Sequence, residues 1–434
     1  MSVPDLDVVV VGAGAAGLAA LSELDRAGLN VLCLEARNRI GGRIHTIHDP
    51  LSPLPIELGA EFIHGRPPET WSIIQAAQLT AYDSGDTAVR ISNGKVRDHN
   101  AWDAVGRVMA EMQEAAAHGP DRSFAEFLET SSEPQEAKLW AAGYVEGFNA
   151  ARQERVSIAS LAEDAQAADQ IDGDSAFRLM NGYDAIPLHL FRGVSAAISK
   201  LRLNSIVESI GWHRGSVSIH FRNALTGHLK VLHARRVIVA VPLGVLQVND
   251  IQFQPEPTAA LNAARALEFG QVMRVVLRFR EAFWEGNADT SFAGFLLSDQ
   301  RLFPTWWTPL AAHAPIITGW SAGPHADDLL GQPASAILNR AIDSLADVLS
   351  TTSSRINNLL EAFYFHDWHA DPFARGAYSY VRAGALEARK TLAEPIEDTL
   401  YFAGEATETN GHSATVHGAL ATGFRAARQI LNLR

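Results

Sequence analysis

Asp7-Val8-Val9-Val10-Val11-Gly12-Ala13-Gly14-Ala15-Ala16-Gly17-Leu18, running on through Ala and Leu to Arg26, has the pattern of a strand, a tight turn and a helix. The valine run has the composition of a parallel strand buried on both faces, and it leads without a linker into a glycine turn and an apolar helix. In such a turn Gly12 lets the chain reverse and Gly14 lets the backbone of Ala15 and Ala16 approach a pyrophosphate at the positive helix N-terminus. Gly17 lets the helix pack closely on the strand. A second apolar run, Asn30 to Leu34, ends in Glu35, at the distance where an acid accepts hydrogen bonds from a ribose 2′-OH. A lone G-x-G-x-x-G is a weak signal. Here its strand, helix, second strand and acid are all in place, and the acid favours an unphosphorylated adenosine ribose.

The extension Glu35-Ala36-Arg37-Asn38-Arg39-Ile40-Gly41-Gly42-Arg43 adds two glycines and arginine, whose guanidinium fork suits a phosphate. It resembles the second half of the FAD fingerprint of glutathione-reductase-like flavoproteins, and specifically of the flavin amine oxidases.

A chain of 434 residues is longer than one ordinary domain needs, so two domains are expected. The composition is globular, 47% hydrophobic and 20% charged, without an apolar run of transmembrane length. With the first strand starting within a few residues of the N-terminus and no hydrophobic tail after Leu431, no membrane attachment and a cytoplasmic location are expected. The single cysteine, Cys33, sits inside an apolar strand, which implies neither a disulfide framework nor a reactive thiol. A formal charge of −13 argues against nucleic acid as a partner and suits a cationic substrate without requiring one.

Ile56-Glu57-Leu58-Gly59-Ala60-Glu61-Phe62-Ile63-His64-Gly65 reads as a short strand and turn. The flavin amine oxidases have a similar stretch beside the isoalloxazine ring, which implies cofactor contacts at Leu58, Gly59, Ala60 and Glu61. In the polyamine oxidases of that group a His stands at the place of His64; a surface loop histidine is the other reading. From Pro67 to about Tyr183 the pattern is helical. Trp102, Val105, Met109 and Met112 share a helical face that reads as core, and Ser123 to Glu126 reads as a capping box. Glu163, Asp164, Asp169, Asp172 and Asp174 form an acidic stretch, read first as a solvated face and second as a funnel for amine cations.

After Lys200, Leu203–Ile210, Ser216–Phe221 and Lys230–His233 read as strands with a turn at Thr226-Gly227, and Arg236 to Pro242 closes the segment. This resembles the β-meander and returning strand of an FAD domain, which implies a backbone contact at Val207 on the adenine side and a contact at Val241. Thr258–Leu267 reads as helix, Val272–Phe279 as strand, Trp306-Trp307 and Ile316–Trp320 as sheet, and Ala334–Leu349 as helix.

Three C-terminal stretches carry the resemblance furthest: Trp368-His369-Ala370-Asp371-Pro372-Phe373-Ala374-Arg375-Gly376-Ala377-Tyr378, then Leu400 to Thr407 with Gly404-Glu405, then His412-Ser413-Ala414-Thr415-Val416-His417-Gly418-Ala419. A strand ending in Gly404-Glu405 and a helix N-terminus near Thr415-Val416 present partial positive charge to something anionic, such as the N1/C2=O locus of a reduced flavin. His366 and His369 have the spacing of two metal ligands, but nothing completes a metal site. No nucleophile-elbow motif points to hydrolysis.

The resemblance spans residues 7 to 431 and is nearest the polyamine-oxidase branch. It implies an α/β fold: a discontinuous, doubly wound, glutathione-reductase-like FAD-binding domain (1–66, 186–256 and 377–434) and a mixed-sheet α+β substrate domain (67–185 and 257–376). It implies non-covalent FAD, since Ala377 stands where covalently flavinylated relatives carry their linking Cys. It implies oxidation of an amine, of polyamine or other primary or secondary type. The steps are hydride transfer to flavin N5, imine hydrolysis, and reoxidation by O2 giving hydrogen peroxide. Tyr378 matches one aromatic of the family's amine cage; the second would fall at Thr415, leaving a half-open cage suited to longer amines. Trp368 belongs to the flavin motif. Arg274 stands where these oxidases commonly carry a Lys that holds a water against flavin N5, with a slipped strand or a surface charge as the other reading. An amino-acid oxidase or desaturase of the same architecture, and a catalytically silent flavin-binding scaffold, are the alternatives. Oligomeric state is not legible.

Overall fold

Val8 and Val10 face one side of the strand Leu6–Val11 and Val9 and Val11 the other, and all four are buried. A strand covered on both faces has no use for polar alternation, which is why the run is continuous valine. In the computed structural model, which describes residues 6–85, 87–92, 95–98, 101–286 and 293–433, this strand pairs in parallel with Val31–Leu34 on one side and with Leu229–Val239 on the other. Leu201–Arg202 adds to the Val31–Leu34 edge and Leu400–Phe402 pairs with Leu229–Val239, both in parallel. The helices Ala15–Arg26 and Val416–Leu431 pack together over one face. The other face is covered by the antiparallel strands Ser205–His213 and Ser216–Asn223 with the helices Thr258–Ala266 and Ala388–Ala393.

The pieces Lys230–His233 and Arg236–Pro242, expected as separate strands, are one strand, Leu229–Val239. Its first half belongs to the meander and its second half to the parallel sheet, so it has no turn between them. The residues from Pro67 to Tyr183 are also less purely helical than their pattern suggests. Ala81–Asp83, Ala88–Ser92, Lys95–Asp98 and Ala176–Leu179 are short strands: Lys95–Asp98 forms a hairpin with Ala88–Ser92, and the other three have partners distant in sequence, as when Ala88–Ser92 pairs in parallel with Phe295–Ser298. The capping box forms: Ser123 Oγ accepts from Glu126 N–H, and the Glu126 carboxylate accepts from Ser123 N–H.

A second, seven-stranded sheet runs Leu360–Phe365, Val272–Phe279, Ile316–Ala322, Thr305–Trp307, Phe295–Ser298, Ala88–Ser92, Lys95–Asp98. Along Val272–Phe279 the residues Met273, Val275, Leu277 and Phe279 enter a core closed by the helix Ala334–Val348, through Ile337, Ile342 and Leu345. The period of two sends Val272 and Arg274 to the opposite face. That face and the C-terminal ends of the parallel strands border one large cavity, so the crevice lies where α/β sheets place ligands. No helix among the described residues is long and apolar enough to cross a membrane.

Candidate active site

The cavity has a volume of about 1790 Å3, above the roughly 300–1,000 Å3 of ordinary small-molecule pockets. One end is the glycine turn. Gly12 has φ +101°, and a Cβ there would lie 2.8 Å from Ala240 O. The helix Ala15–Arg26 begins with no side-chain cap and no acid in its first turn, so its N-terminal N–H groups, reached from the cavity at Gly14, Ala15 and Ala16, are left for an anion. Gly17 does not itself line the cavity, and a Cβ on it would sit 1.8 Å from Gly12 O, so it serves the close helix packing expected of it.

Glu35, buried at the end of Val31–Leu34, accepts from Ala13 N–H at 2.7 Å and from Arg37 N–H at 2.9 Å. Burial raises its pKa and these two N–H groups work against the rise. Each carboxylate oxygen keeps acceptor capacity for a ribose hydroxyl. Ala36, Gly41, Gly42, Val207 and Val241 line the same end. The guanidiniums of Arg37 and Arg43, whose fork suits a phosphate, are tied to residues far along the chain: Arg37 to Asp371 at 2.8 Å, and Arg43 to Ala377 O at 2.6 Å and Glu405 at 2.8 Å. Glu405, preceded by Gly404 on the cavity wall, also accepts from Ser379 Oγ at 2.6 Å and Ala414 N–H at 3.2 Å. Thr415 is the N-cap of the last helix, its hydroxyl donating to His412 O at 2.6 Å and accepting from Gly418 N–H at 2.9 Å. Thr415 and Val416 line the cavity, with the Thr415 hydroxyl already engaged. The residues therefore fit the FAD that the resemblance implies: an open helix N-terminus for the pyrophosphate, an acid for the ribose, and glycines at the close approaches.

The other end is aromatic. Trp102, Tyr144, Phe148, His64, Phe62, Trp307 and Trp320 form a chain of ring contacts with centroids 5.4 to 6.0 Å apart. Tyr378 lies on the cavity wall with its hydroxyl donating to Phe148 O at 2.8 Å, which fixes the ring. Trp368 is buried, donating to Leu58 O at 2.8 Å. His64 lines the cavity between Phe62 and Phe148, and burial pulls its pKa down to about 4, so it is neutral at pH 7. The surface-loop reading of His64 is set aside by that placement. Arg274 is likewise no surface charge: it is 4% exposed, its guanidinium donating to Gly59 O at 2.8 Å and to the Glu61 carboxylate. Glu61 also accepts from Arg178 at 2.7 Å and Trp307 at 3.0 Å, and the two guanidiniums hold its pKa low against burial. Ala60 completes this edge.

The stripe read as core is divided. Met112 is core, whereas Trp102, Val105 and Met109 line the cavity rim. The acidic stretch divides too: Glu163, Asp169 and Asp172 are exposed, while Asp164, half-buried, and Asp174, exposed, line the cavity. His366 bonds Asp371 at 2.7 Å and His369 bonds Gln271 at 3.1 Å. Phe62, Tyr144, Phe148, Arg178, Trp307 and Trp320 were not singled out from sequence. For Trp307 a signal existed: in a strand, the twin Trp306-Trp307 must put one ring in the core and the other opposite, and Trp306 is the fully buried one.

A sequence model of the family described as flavin containing amine oxidoreductase matches residues 15–431. Polyamine oxidase 3 of Oryza sativa subsp. japonica is 30% identical over 447 residues, covering 97% of this chain and 88% of that protein. Lysine-specific histone demethylase 1 homolog 2 of the same organism is 29% identical over 454 residues, covering 98% of this chain and 57% of that protein, so the chain spans little more than half of this relative. Among solved structures, putrescine oxidase bound to putrescine superposes with a TM-score of 0.83 at 20% identity, covering 98% of this chain and 99% of that one.

Proposed function

The chain belongs to the flavin containing amine oxidoreductase family, as an FAD-dependent amine oxidase, and on that premise we propose that it oxidises a neutral primary or secondary amine held against Tyr378, with O2 as electron acceptor and hydrogen peroxide as product. The observation that carries this reading is that one cavity joins the dinucleotide cradle at Gly14 and Glu35 to the aromatic wall at Tyr378, Phe62 and Trp307. The FAD is proposed to be non-covalent. The chain division is proposed as stated above, with the doubly wound domain in three segments. It is supported by one sheet drawing strands from 6–34, 201–254 and 400–402 and the other from 88–98 and 272–365.

FAD, when bound, supplies the hydride acceptor for the amine Cα–H and passes the electrons to O2. The chain's part is binding, orientation and desolvation. An apolar wall disfavours an ammonium ion, so the nitrogen enters as the free amine with its electron pair available. His64, held neutral, adds no repelling charge. The Tyr378 ring, fixed through Phe148 O, limits the nitrogen to a few orientations. Arg274 supplies permanent positive charge and has no lone pair with which to act as a base.

The polyamine reading is supported by carboxyls on the wall, Glu146, Asp164 and Asp174, and by the half-open cage at Thr415. A second reading, an amine bearing one bulky apolar group, is supported by the length of the aromatic wall. An amino-acid substrate is disfavoured, because every arginine lining the cavity among the described residues, from Arg37 to Arg375, is in an ion pair with a carboxylate. A panel of polyamines, arylalkylamines, cycloalkylamines and amino acids, read by peroxide release, separates these. Turnover confined to amino acids overturns the proposal.

A further inference from the structure

Beneath the cavity floor lies a separate chamber of about 40 Å3, walled by Glu57, Tyr82, Arg178, Glu61, Arg274 and Trp307, among others. Glu61, Arg274 and Trp307 border both spaces and so form the partition between them. Arg178 donates from Nε to Glu61 Oε1 at 2.7 Å, while its other nitrogens are held by Leu310 O at 2.8 Å and Thr308 O at 3.1 Å. Arg274 donates to the second Glu61 oxygen, and its buried Nε has no protein acceptor. Two guanidiniums against one ionised carboxylate leave one positive charge at the partition.

We infer that Glu57 and Glu61 are positioning residues acting through Arg274. Glu61 fixes the guanidinium and cancels one of the two positive charges, and Glu57, on the chamber wall, cancels the other only when it is ionised. Glu57 accepts from Tyr183 N–H and from Thr46 Oγ1, both at 2.7 Å. The charged and titratable groups around it are Arg274, Arg178, Glu61, Tyr82 and Tyr183. Burial pushes the Glu57 carboxyl up to about 7, opposed by those two hydrogen bonds and by Arg274. Its ionisation therefore falls near neutral pH. Below that pH the partition carries a net positive charge toward the FAD site; above it, none.

The assignment rests on FAD occupying the cavity and not on which amine is oxidised, so its test uses no amine. Sulfite adds reversibly to bound flavin and bleaches its visible band, more tightly the more positive the surroundings. Its dissociation constant is measured for the FAD-loaded wild type and Glu57→Gln across pH 5.5 to 9, and the ratio at each pH removes sulfite's own ionisation. Equal affinities at the acid end, with wild type weaker on the order of tenfold at the alkaline end, are expected. Glu61→Gln, which removes the cancelling charge, tightens sulfite at every pH. A wild-type to Glu57→Gln ratio that is constant with pH overturns the assignment. Should Glu57→Gln not fold, Thr46→Val, which takes away a donor to the ionised carboxylate, moves the wild-type step to higher pH; a step that stays in place overturns it as well. Failure of the amine panel with this step intact would count against the proposed substrate and leave this assignment standing.

Discussion

The Arg274 guanidinium and the Glu61 carboxylate form a buried, hydrogen-bonded ion pair between residues 213 apart in sequence. The pair joins the strand Val272–Phe279 to the turn after Ile56–Glu57 and puts a permanent cation at the cavity floor. Replacing Glu61 leaves the Arg274 guanidinium buried without a carboxylate, whereas replacing Arg274 leaves Glu61 paired with Arg178.

Arg274→Met is expected to slow reoxidation of the reduced flavin by O2 more than its reduction by amine, since positive charge stabilises the negative charge that develops as O2 is reduced. Stopped-flow measurement of the two half-reactions checks this. A wild-type reoxidation rate in the variant removes Arg274 from that role, and impaired reduction alone places it on the substrate side.

Glu35→Ala should weaken FAD binding by on the order of 1.5–3 kcal/mol, about ten- to a hundredfold in Kd. The carboxylate also accepts from Ala13 N–H inside the glycine turn, so the variant loosens the pyrophosphate loop as well. Titration of apoenzyme with FAD, followed by flavin fluorescence, measures the loss. An unchanged Kd contradicts the assignment.

Much of this site was legible because its chemistry is local in sequence. The turn Gly12–Gly17 and the helix N-terminus at Thr415 depend on neighbours a few residues away, and Glu35 is placed by the end of the strand before it. The aromatic wall was not legible, because Tyr144 and Phe148 come from one helix, Trp307 and Trp320 from two strands, and their meeting is a product of tertiary packing. The same limit explains Arg37 and Arg43. Their residue type suits phosphate, but their partners Asp371 and Glu405 lie more than 330 residues away.

Tyr378→Ala should lower the rate of flavin reduction by one to two orders of magnitude while leaving the visible spectrum of bound FAD in place, because the ring orients the amine without building the cradle. Tyr378→Phe keeps the ring but loses the bond to Phe148 O, and an intermediate rate is expected. Full activity in a folded Tyr378→Ala variant contradicts the cage.

Glu146→Gln should raise the melting temperature by about 2 °C at pH 8.5 and leave it unchanged at pH 4.5. Burial lifts this carboxyl from 4.5 to about 7, so the folded state binds the proton more tightly than the unfolded one. Stability from this group is therefore lost as pH rises from 4.5 through 7, and the full cost is present above that. Calorimetry at the two pH values checks the sign. A gain confined to the lower pH contradicts it.

Acid precipitation of the holoenzyme should leave the yellow flavin in the supernatant. The chain's single cysteine, Cys33, is buried in Val31–Leu34, and burial raises its thiol pKa well above the ordinary value. Flavin retained in the pellet would contradict non-covalent binding.

The most direct test of amine oxidation is the visible spectrum of the FAD-loaded enzyme under anaerobic conditions as each amine of the panel is added. At least one amine is expected to bleach the flavin band, and admitting O2 to restore it with one hydrogen peroxide per flavin. A band that no amine bleaches, in enzyme whose flavin dithionite still reduces, would contradict amine oxidation.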